Sequence, residues 1–540
     1  SIKKYPSFKK SYILLAEILS LENNFQEALK VLLSAKNINN NNSDVEYNLS
    51  VLYKKNKLYA EALNSINNAL LASPDIEIYQ ILKADILIDK YENEKAKKIL
   101  ANLNLNKNSN LYFQKQILIS RIFFNQKNYK KAENILLKLK LLFINQQILF
   151  LNLSNLYFHS KDLKKGILIL LEGLEIFPDS IPLKSNLALM YRNSGYLDLS
   201  IKTHLDIISK DKYNFNSYFE LTTIYDFANH KDLLKTLLKI DIKKLTPIAK
   251  IYISFSKFNI YHYKKDYKKS SFFLKLANEE KLKLQPSDLK QKIKTGDYYR
   301  NLKLNKRTDS NKKIDNNRYL FIVGMPRCGS TLLESILSIN SEVNDMGEVF
   351  FMEESLKQAE DLSEVREIYK EKVSNINPSN KIHTDKNLFN FLYCPIIYNY
   401  FPNAKIIHCI RNPFDNVLSI YKTNFLNQSF SSSLEDIAHL YLYHLKLMDE
   451  YKVKYGSIIY SYDHDQVVQN PEENIYKLID WLNWEWDHRY LSPQDNKRSV
   501  FTASNAQVRK KINSKSLGSW KKYKSLLEPI SDSLECAMYK

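Results

Sequence analysis

The sequence has 540 residues, which exceeds what one hydrophobic core usually serves and predicts two or more domains. Its formal net charge is +20, but basic residues are spread along the chain, which argues against a nucleic-acid-binding protein. The four cysteines are too sparse for a disulfide framework and lack metal-ligand spacing, which favours a reducing compartment, the cytoplasm, and no metal site. No apolar run is long enough for a transmembrane segment, and the start lacks the apolar core of a signal peptide.

Small residues recur along the first half of the chain at a nearly constant interval. Separations of 34, 34, 36, 34 and 34 residues relate Ala28, Ala62, Ala96, Ala132, Gly166 and Ser200. A second small residue lies twelve positions before each of these, at Ala16, Ser50, Ala84, Ser120, Ser154 and Ala188. Two small positions per period let two antiparallel helices approach closely, and Pro74 and Pro178 fall where a helix must stop.

This period and pattern resemble the tetratricopeptide repeat, in which paired helices stack into a superhelix. The pattern loosens after Ser200, but Ser270 still fits two periods later. The resemblance predicts about eight helix pairs in residues 1–285, forming an all-α solenoid. Solenoids of this kind usually bind an extended peptide or a partner protein along their groove. A plain helical bundle without stacking is the alternative.

The second half has a different pattern. Residues 286–317 are polar and basic and are predicted to form a junction between domains. From residue 318 onward, the short apolar segments YLFIV, KIHT, AKIIHCI and SIIY alternate with helical segments that begin near Ser330, Pro413, Ser433 and Pro471. Such alternation predicts a three-layer α/β domain with a parallel sheet over residues 318–540.

The stretch GMPRCGST, which follows the first of these strands, has the form of a phosphate-binding loop. Gly324 and Gly329 let backbone N–H groups converge on anionic oxygens, and the following helix adds its partial positive charge. The lysine that reaches the β and γ phosphates of a nucleoside triphosphate is absent, and Arg327 lies two residues before the second glycine. A triphosphate therefore suits this loop less well than a group that an arginine can hold.

The whole stretch FIVGMPRCGSTLLESIL resembles the 5′-phosphosulfate loop of sulfotransferases that use 3′-phosphoadenosine 5′-phosphosulfate (PAPS), with Cys328 where the family commonly has serine. KIIHCIRNPFDNVLSIY resembles the second element of that family, in which Arg411 and Ser419 would bind the 3′-phosphate. The resemblance covers about residues 318–530. It points to the protein-tyrosine type and to bacterial proteins that join tetratricopeptide repeats to such a domain. It implies a P-loop-like domain that uses PAPS without a metal and releases 3′,5′-adenosine bisphosphate.

The resemblance also implies roles for individual residues. Glu348, in GEVFF, would be the general base, and Lys386, in TDKNLFNF, would be a catalytic lysine that holds the sulfonate and bridging oxygens together with Arg327. Ser504 would be a catalytic serine in a C-terminal loop that closes over the nucleotide. The implied nucleotide-binding residues are Arg327, Cys328, Gly329, Ser330, Thr331, Arg411, Ser419, Tyr462 at the adenine, and Gln507, Val508 and Lys510 in the closing loop. All of them lie within residues 318–540.

Two positions depart from the pattern of the tyrosine enzymes, and both lose a positive charge near the nucleotide. Asn424 stands where those enzymes have an arginine, and Ser519 stands where they have a lysine. Lys422, Lys510 and Lys515 are the neighbouring cations that could compensate.

Together these patterns predict a bacterial, cytoplasmic enzyme that moves a sulfuryl group from PAPS to an acceptor hydroxyl. A tyrosine in a peptide or protein, held by the solenoid, is the favoured acceptor, while saccharide, lipid and small-metabolite hydroxyls stay open, as does homo-oligomerisation. A nucleotide kinase or NTPase and a non-catalytic repeat scaffold with a vestigial nucleotide domain are the alternatives. His383 and His408 lie in apolar strands and are expected to be core residues rather than catalysts.

Overall fold

The computed structural model describes residues 8–22, 24–38, 42–224, 231–304, 318–375, 381–496 and 511–538. The chain divides into two compact units, Ser1–Asp179 and Ser180–Lys540, and each is described by itself. Within the described ranges, no helix combines the length and the apolar character needed to cross a membrane.

The described part of the first unit contains ten helices that follow one another as pairs. Their bounds are α1 Lys9–Leu21, α2 Phe25–Lys36, α3 Ser43–Lys55, α4 Tyr59–Ala72, α5 Glu77–Asp89, α6 Asn93–Asn102, α7 Asn110–Asn125, α8 Tyr129–Leu142, α9 Gln147–His159 and α10 Leu163–Ile176. The two helices of each pair contact each other, and successive pairs contact through α2 with α3, α4 with α5, α6 with α7, and α8 with α9. This is the stacked arrangement that the repeat predicts.

The predicted small residues lie at the contacts within the pairs. Ala28, Ala62 and Ala132 are completely buried, and Ser50 on α3 donates a hydrogen bond from Oγ to the carbonyl oxygen of Ala62 on α4, 2.8 Å away. The same contact recurs in the second unit, where Ser200 Oγ donates to the carbonyl oxygen of a residue twelve positions earlier, at 2.9 Å. A larger side chain at these positions would hold the paired helices apart, which explains the spacing.

The turns inside the pairs also repeat. Each of four turns contains one residue in the left-handed backbone conformation, with φ between 59° and 62°: Lys57, Tyr91, Lys127 and Lys161. Asn24, Asn128 and Asp162 then cap the next helix, because each side chain accepts a hydrogen bond from the backbone N–H three residues further on, at 3.2–3.4 Å. Turn and cap together start the second helix of a pair in a fixed direction.

Six further helices precede the junction in the second unit. Their bounds are α11 Ile181–Ser194, α12 Leu197–Lys210, α13 Phe215–Ile224, α14 Lys231–Lys239, α15 Pro247–Tyr263 and α16 Tyr267–Leu284. Sixteen α-helices therefore lie between Lys9 and Leu284 in the described ranges, and the sequence predicts about eight pairs. The last two, α15 and α16, form a closely packed pair.

A parallel five-stranded sheet forms the centre of the α/β domain. Its strands are β1 Arg318–Gly324, β2 Val343–Asp345, β3 Ile382–Asp385, β4 Ala404–Ile410 and β5 Ile459–Asp463, in the order β2-β3-β1-β4-β5. β1 is central, and Gly324 at its end lies opposite Cys409 in β4. Four of these strands are predicted from the sequence. The fifth, β2, is three residues long with one apolar side chain, which is too short for a recognisable pattern.

Helices cover both faces of the sheet. Their bounds are α17 Leu289–Arg300, α18 Ser330–Leu337, α19 Phe351–Gln358, α20 Val365–Ser374, α21 Cys394–Tyr400, α22 Pro413–Tyr421, α23 Leu434–Tyr455, α24 His464–Gln469 and α25 Pro471–Leu482, followed by short helices at Lys524–Leu527 and Ser531–Met538. Leu320 and Ile322 of β1 pack with α18 and α25, whereas Phe321 and Val323 pack with α20, α21 and α23. The predicted three-layer α/β domain is confirmed.

A further hydrophobic core joins the helical region to this domain inside the second unit. Phe255 of α15, Leu274 of α16 and Leu289 of α17 are buried in one cluster with residues of α22 and α23. Tyr523, near the C-terminus, belongs to the same cluster. The helices on both sides of residue 285 therefore share their core with the α/β domain.

We expect a fragment of residues 180–540 to unfold cooperatively and a fragment of residues 318–540 to lack a cooperative transition. The shorter fragment loses α15–α17, and each buried Phe or Leu contributes about 1.5–3 kcal/mol, so the combined loss approaches the whole stability of a domain, about 5–15 kcal/mol. Thermal melts followed by circular dichroism compare the two fragments. Equally sharp transitions for both would show that the shared core does not stabilise the α/β domain.

Candidate functional site

Two loops that the sequence singles out meet at the carboxyl ends of β1 and β4. Arg327, in the loop after β1, donates from Nε to the hydroxyl of Ser419 on α22, at 3.3 Å. Arg411, which directly follows β4, donates from Nη1 to the carbonyl oxygen of Arg327, at 3.1 Å. Asn416 donates to the carbonyl oxygen of Pro326 at 3.0 Å. The two motifs therefore form one hydrogen-bonded unit, although 84–92 residues separate their arginines and serine.

The loop after β1 has an unusual backbone. Arg327 has φ 68° and Gly329 has φ 94°, both in the left-handed region. For the arginine, this conformation costs about 1–2 kcal/mol, and such cost is concentrated at functional sites. At Gly329 a Cβ atom would lie 2.2 Å from Nδ1 of His464, so glycine is required for the imidazole to pack against the loop.

A cavity of about 620 Å³ opens beside this loop. Five predicted residues line it: Arg327, Gly329, Thr331, Arg411 and Ser419. The lining in the described ranges includes six cationic side chains, Arg327, Arg411, Lys422, Lys511, Lys515 and Lys522, against the single carboxylate of Asp415. Such a wall attracts a multiply charged anion. Cys328 and Ser330, also predicted, are buried in the loop and at the start of α18.

The concentration of positive charge in the cavity wall, together with burial, lowers the pKa values of two of its residues. Burial, followed by the charge of Arg411, lowers the pKa of Arg327 to about 10, while Glu348 raises it. Burial, followed by the charges of Arg411 and Arg327, lowers the pKa of His464 to about 3, so this imidazole is neutral near pH 7. No group of three or more His, Cys, Asp or Glu side chains in the described ranges is arranged to hold a metal ion.

Lys386 lies between two carboxylates, one of which, Glu348, also acts on the charge of Arg327. Its Nζ is 3.3 Å from Oε2 of Glu334 and 3.4 Å from Oε1 of Glu348. Lys386 and Glu334 are almost completely buried, whereas the Glu348 side chain is 54% exposed. Glu334 Oε1 also accepts hydrogen bonds from the backbone N–H of Gly347 and the hydroxyl of Thr384, at 3.1 and 3.4 Å. Glu334 thus contacts both Lys386 and the backbone of Gly347, the residue before Glu348.

The residue before the lysine holds its backbone in place. Asp385 accepts hydrogen bonds from the N–H of Asn387 at 3.0 Å and from the hydroxyl of Tyr369 at 2.9 Å. Its burial raises its pKa to about 7 despite these two donors. The lysine is therefore a fixed interior side chain and not part of a surface ion pair.

A second cavity, of about 630 Å³, begins next to this cluster. Two of its lining residues adjoin the cluster in sequence: Phe350 is two residues after Glu348, and Asn387 is one residue after Lys386. Its other walls include Tyr298 of α17 and Phe389. Phe350 and Tyr298 are 57% and 62% exposed, so aromatic surface is accessible here.

The structure does not bring every predicted residue to the first cavity. Tyr462 is 1% exposed and packs in the core beneath the sheet, and His464 and Val468 line the cavity in this region. The hydroxyl of Ser519 lines the cavity but donates to Asp415 at 3.0 Å. Four predictions, Ser504, Gln507, Val508 and Lys510, lie outside the described residues.

Other residues at the site were missed from the sequence. Glu334 is one of many helical glutamates, and only its contact with Lys386 distinguishes it. His464 follows a strand and carries no motif. Phe258, Asn259 and His262 of α15 also line the first cavity, so its wall extends beyond residues 318–540, where the sequence places every contact.

The two strand histidines are core residues, as predicted. His383 and His408 are 2% and 0% exposed. Nε2 of His408 lies 2.8 Å from Nε2 of His444, another buried histidine. Both rings of this pair have a lowered pKa, mainly because of burial.

Comparison with known proteins covers the part of the chain that contains the candidate site. The sequence model described as the sulfotransferase family matches residues 320–368 and 359–488, which contain both strand-end motifs, Glu348 and Lys386. The matched residues make up most of the α/β domain. The match ends before the predicted closing loop of the α/β domain.

Two relatives extend the comparison. The chain is 31% identical over 245 residues to an uncharacterized protein of Aquifex aeolicus (strain VF5), covering 40% of this chain and 32% of that protein. It therefore spans about a third of the length of that relative. It is 25% identical over 226 residues to a Caenorhabditis briggsae protein named "Putative protein-tyrosine sulfotransferase", covering 37% of this chain and 80% of that protein.

Solved structures of both fold types are similar to parts of the chain. The sulfotransferase domain from the curacin biosynthetic pathway is 16% identical, with a TM-score of 0.31, and the match covers 40% of this chain and 98% of that chain. YrrB, described as a TPR protein with an unusual peptide-binding site, is 18% identical, with a TM-score of 0.25, and the match covers 34% of this chain and 93% of that chain.

We expect Gly329→Ala to lower the free energy of unfolding by about 1–3 kcal/mol, because alanine is strained at φ 94° and its Cβ would collide with His464. Gly456→Ala is the matched control, since a Cβ there meets nothing within 4 Å. Urea denaturation measures both variants. A Gly329→Ala protein as stable as the Gly456→Ala protein would show that the close packing of loop and imidazole is not required.

Proposed function

We propose that this chain transfers a sulfuryl group from PAPS to an acceptor hydroxyl, with Glu348 as the general base. The observation that carries the proposal is the convergence of Arg327, Arg411 and Ser419 on one strongly cationic cavity at the carboxyl ends of β1 and β4. In open parallel sheets this edge is the usual position of a nucleotide. The match of the domain to the sulfotransferase family model supports the same chemistry.

The residues of the cavity fit a nucleotide that carries separate 3′- and 5′-charges. Gly329 and Thr331 lie at the start of α18, where backbone N–H groups and the helix dipole favour a 5′-phosphate. Arg411 and Ser419 offer a guanidinium fork and a hydroxyl for a 3′-phosphate. Nε of Arg411 is buried without a hydrogen-bond partner among the described residues, although Asp465 lies 3.7 Å away. A bound anion would supply the missing acceptor.

PAPS, when bound, supplies an activated sulfuryl group whose transfer leaves 3′,5′-adenosine bisphosphate. Glu348 is the accessible carboxylate near the loop, and its role would be to take the proton of the incoming hydroxyl. Arg327 and Lys386 would hold the oxygens that become more negative during transfer. Ser504, which the family pattern adds to this set, lies outside the described residues.

Charge balance around Lys386 supports the assignment of the base. Glu334 is buried with the lysine and neutralises it, so the lysine does not depend on Glu348 for its counter-charge. Glu348, at 3.4 Å and half exposed, can therefore face an acceptor without leaving an uncompensated buried cation. In this arrangement Glu334 is a positioning residue for both Lys386 and the Glu348 segment.

A peptide or protein tyrosine is the acceptor that we propose. The second cavity begins beside the base and offers aromatic walls, Phe350 and Tyr298, against which a phenol ring could pack. The name of the Caenorhabditis briggsae relative is consistent with this acceptor, and the helical repeats could hold the rest of a peptide. Acceptor binding would thus occur in the second cavity, which does not share lining residues with the first among the described parts of the chain.

Nucleotide binding separates this function from its two alternatives. We expect 3′,5′-adenosine bisphosphate at 100 times its Kd to stabilise the full chain by about 2.7 kcal/mol, measured as a rise in Tm, and ATP with magnesium to have much less effect. Arg411→Ala should abolish most of the shift, and Ser461→Ala, an exposed strand residue, should keep it. A larger shift with ATP would favour a kinase or NTPase, and no shift with either nucleotide would favour a scaffold.

Replacement of the base tests catalysis itself. We expect Glu348→Gln to reduce sulfuryl transfer by about 10²–10⁴-fold with nearly unchanged nucleotide affinity, because the amide keeps the shape but cannot accept the proton. Glu342→Gln, an exposed carboxylate six residues earlier, is the matched control. Single-turnover transfer of radiolabelled sulfate is measured with the best acceptor from a screen of tyrosine peptides, saccharides and phenols. Transfer at the wild-type rate would remove Glu348 from the mechanism.

A further inference from the structure

The last helix pair before the junction reaches the nucleotide cavity. Phe258, Asn259 and His262 of α15 form part of its wall. The sulfotransferase family model matches only residues 320–488, so this wall comes from outside the family domain. The inference below rests on the proposed use of the cavity for a 3′-phosphorylated nucleotide.

Lys422 lies at the end of α22, next to this wall, three residues after Ser419. Within the described part of the chain its ammonium makes no hydrogen bond or ion pair. Its contact is with the ring of Tyr523, whose centroid is 4.1 Å from Nζ. A largely desolvated cation over an aromatic face is favourable, but the ring supplies no counter-charge.

Asp415, the carboxylate whose charge acts on Lys422, is already hydrogen-bonded to other groups. It accepts hydrogen bonds from the N–H of Gly518 at 2.6 Å, the hydroxyl of Ser519 at 3.0 Å and the N–H of Trp520 at 2.9 Å. These three donors fix the turn that leads to Tyr523. Burial lowers the pKa of Lys422 to about 8, Asp415 partly opposes this, and Lys522 and Arg411 add to it. A bound anion in the cavity would raise the pKa of Lys422 again by stabilising its charged form.

Tyr523 is itself held by the helix pair α15–α16. Its hydroxyl lies 2.6 Å from Nδ1 of His262 on α15 and 2.9 Å from Oγ of Ser270 on α16. The rings of Tyr523 and His262 are stacked, with an interplanar angle of 15°. Ser270, one of the small residues of the repeat pattern, also donates to the carbonyl oxygen of Phe258 at 3.1 Å. The position of the Tyr523 ring is therefore set by repeat helices.

We propose that Lys422 binds the 3′-phosphate of the nucleotide, and that the repeat pair α15–α16 positions it through Tyr523. The ligand chemistry is a phosphomonoester dianion on the ribose 3′ position, shared with Arg411 and Ser419. The last repeat is then a structural part of the nucleotide site as well as part of a helical repeat array.

The test measures binding of 3′,5′-adenosine bisphosphate and of 5′-AMP to the full chain by isothermal titration calorimetry. We expect Lys422→Met, which keeps the apolar stem, to weaken the bisphosphate by about 10- to 100-fold, the effect of one charge-assisted hydrogen bond. Binding of 5′-AMP should change less than about threefold. Lys521→Met, an exposed neighbour of Tyr523 that does not line the cavity, should affect neither ligand.

Tyr523→Phe tests the second half of the proposal, because it keeps the ring below Lys422 and removes the hydroxyl that joins the ring to His262 and Ser270. We expect an intermediate loss for the bisphosphate and none for 5′-AMP. Full bisphosphate affinity in Tyr523→Phe, with a loss in Lys422→Met, would overturn the role of the repeat pair. Equal losses for both nucleotides in Lys422→Met, or no loss, would overturn the role of the lysine. Failure of the wild-type chain to bind the bisphosphate would instead refute the proposed function.

Discussion

Parallel pairing of β1 with β4 is the constraint on which the candidate site depends. Because Gly324 lies opposite Cys409, the two strands end at the same level, and the loops after them leave the sheet side by side. Arg327 and Arg411 follow within three residues, which brings two guanidinium groups to one crevice. A shift of one residue in this register would turn the side chains of one strand to the other face and separate the two loops. The hydrogen bond from Arg411 to the Arg327 carbonyl oxygen can form only because this register places the two loops side by side.

Local sequence signals predict the parts of the fold that depend on neighbouring residues. The helices after β1 and β4 begin at Ser330 and Pro413 as predicted, because a glycine-rich turn and a proline are start signals that act within a few residues. Ser433 caps α23 by accepting from the N–H of Asp436 at 3.1 Å. The repeat is visible for a related reason, since the small residues at the helix contacts recur at a fixed spacing whatever surrounds them.

Features that depend on contacts between distant residues could not be predicted in this way. The hydroxyl of Tyr523 meets His262 across 261 residues of chain, and no pattern near either residue indicates the partner. The left-handed turns at Lys57 and Lys127 lack the glycine that usually marks such a backbone. The burial of Tyr462 in the core likewise depends on how β5 packs against distant segments, and the motif around it does not indicate this.

Lys386, which is buried, and Lys422, which lines the cavity, differ in how their charge is balanced, and we propose that this difference separates a catalytic role from a binding role. Lys386 has Glu334 at 3.3 Å, so its charge is compensated before any ligand arrives, and it gains little from a ground-state anion. Lys422 has no such partner in the described ranges and therefore gains most when an anion first enters the cavity. A group that contributes to affinity should have an unmet charge in the free protein, whereas a group that accelerates transfer should respond chiefly to charge that develops later. On this argument we propose that Lys422 would contribute to nucleotide affinity, and that Lys386, between Glu334 and Glu348, would stabilise charge that develops in the transition state.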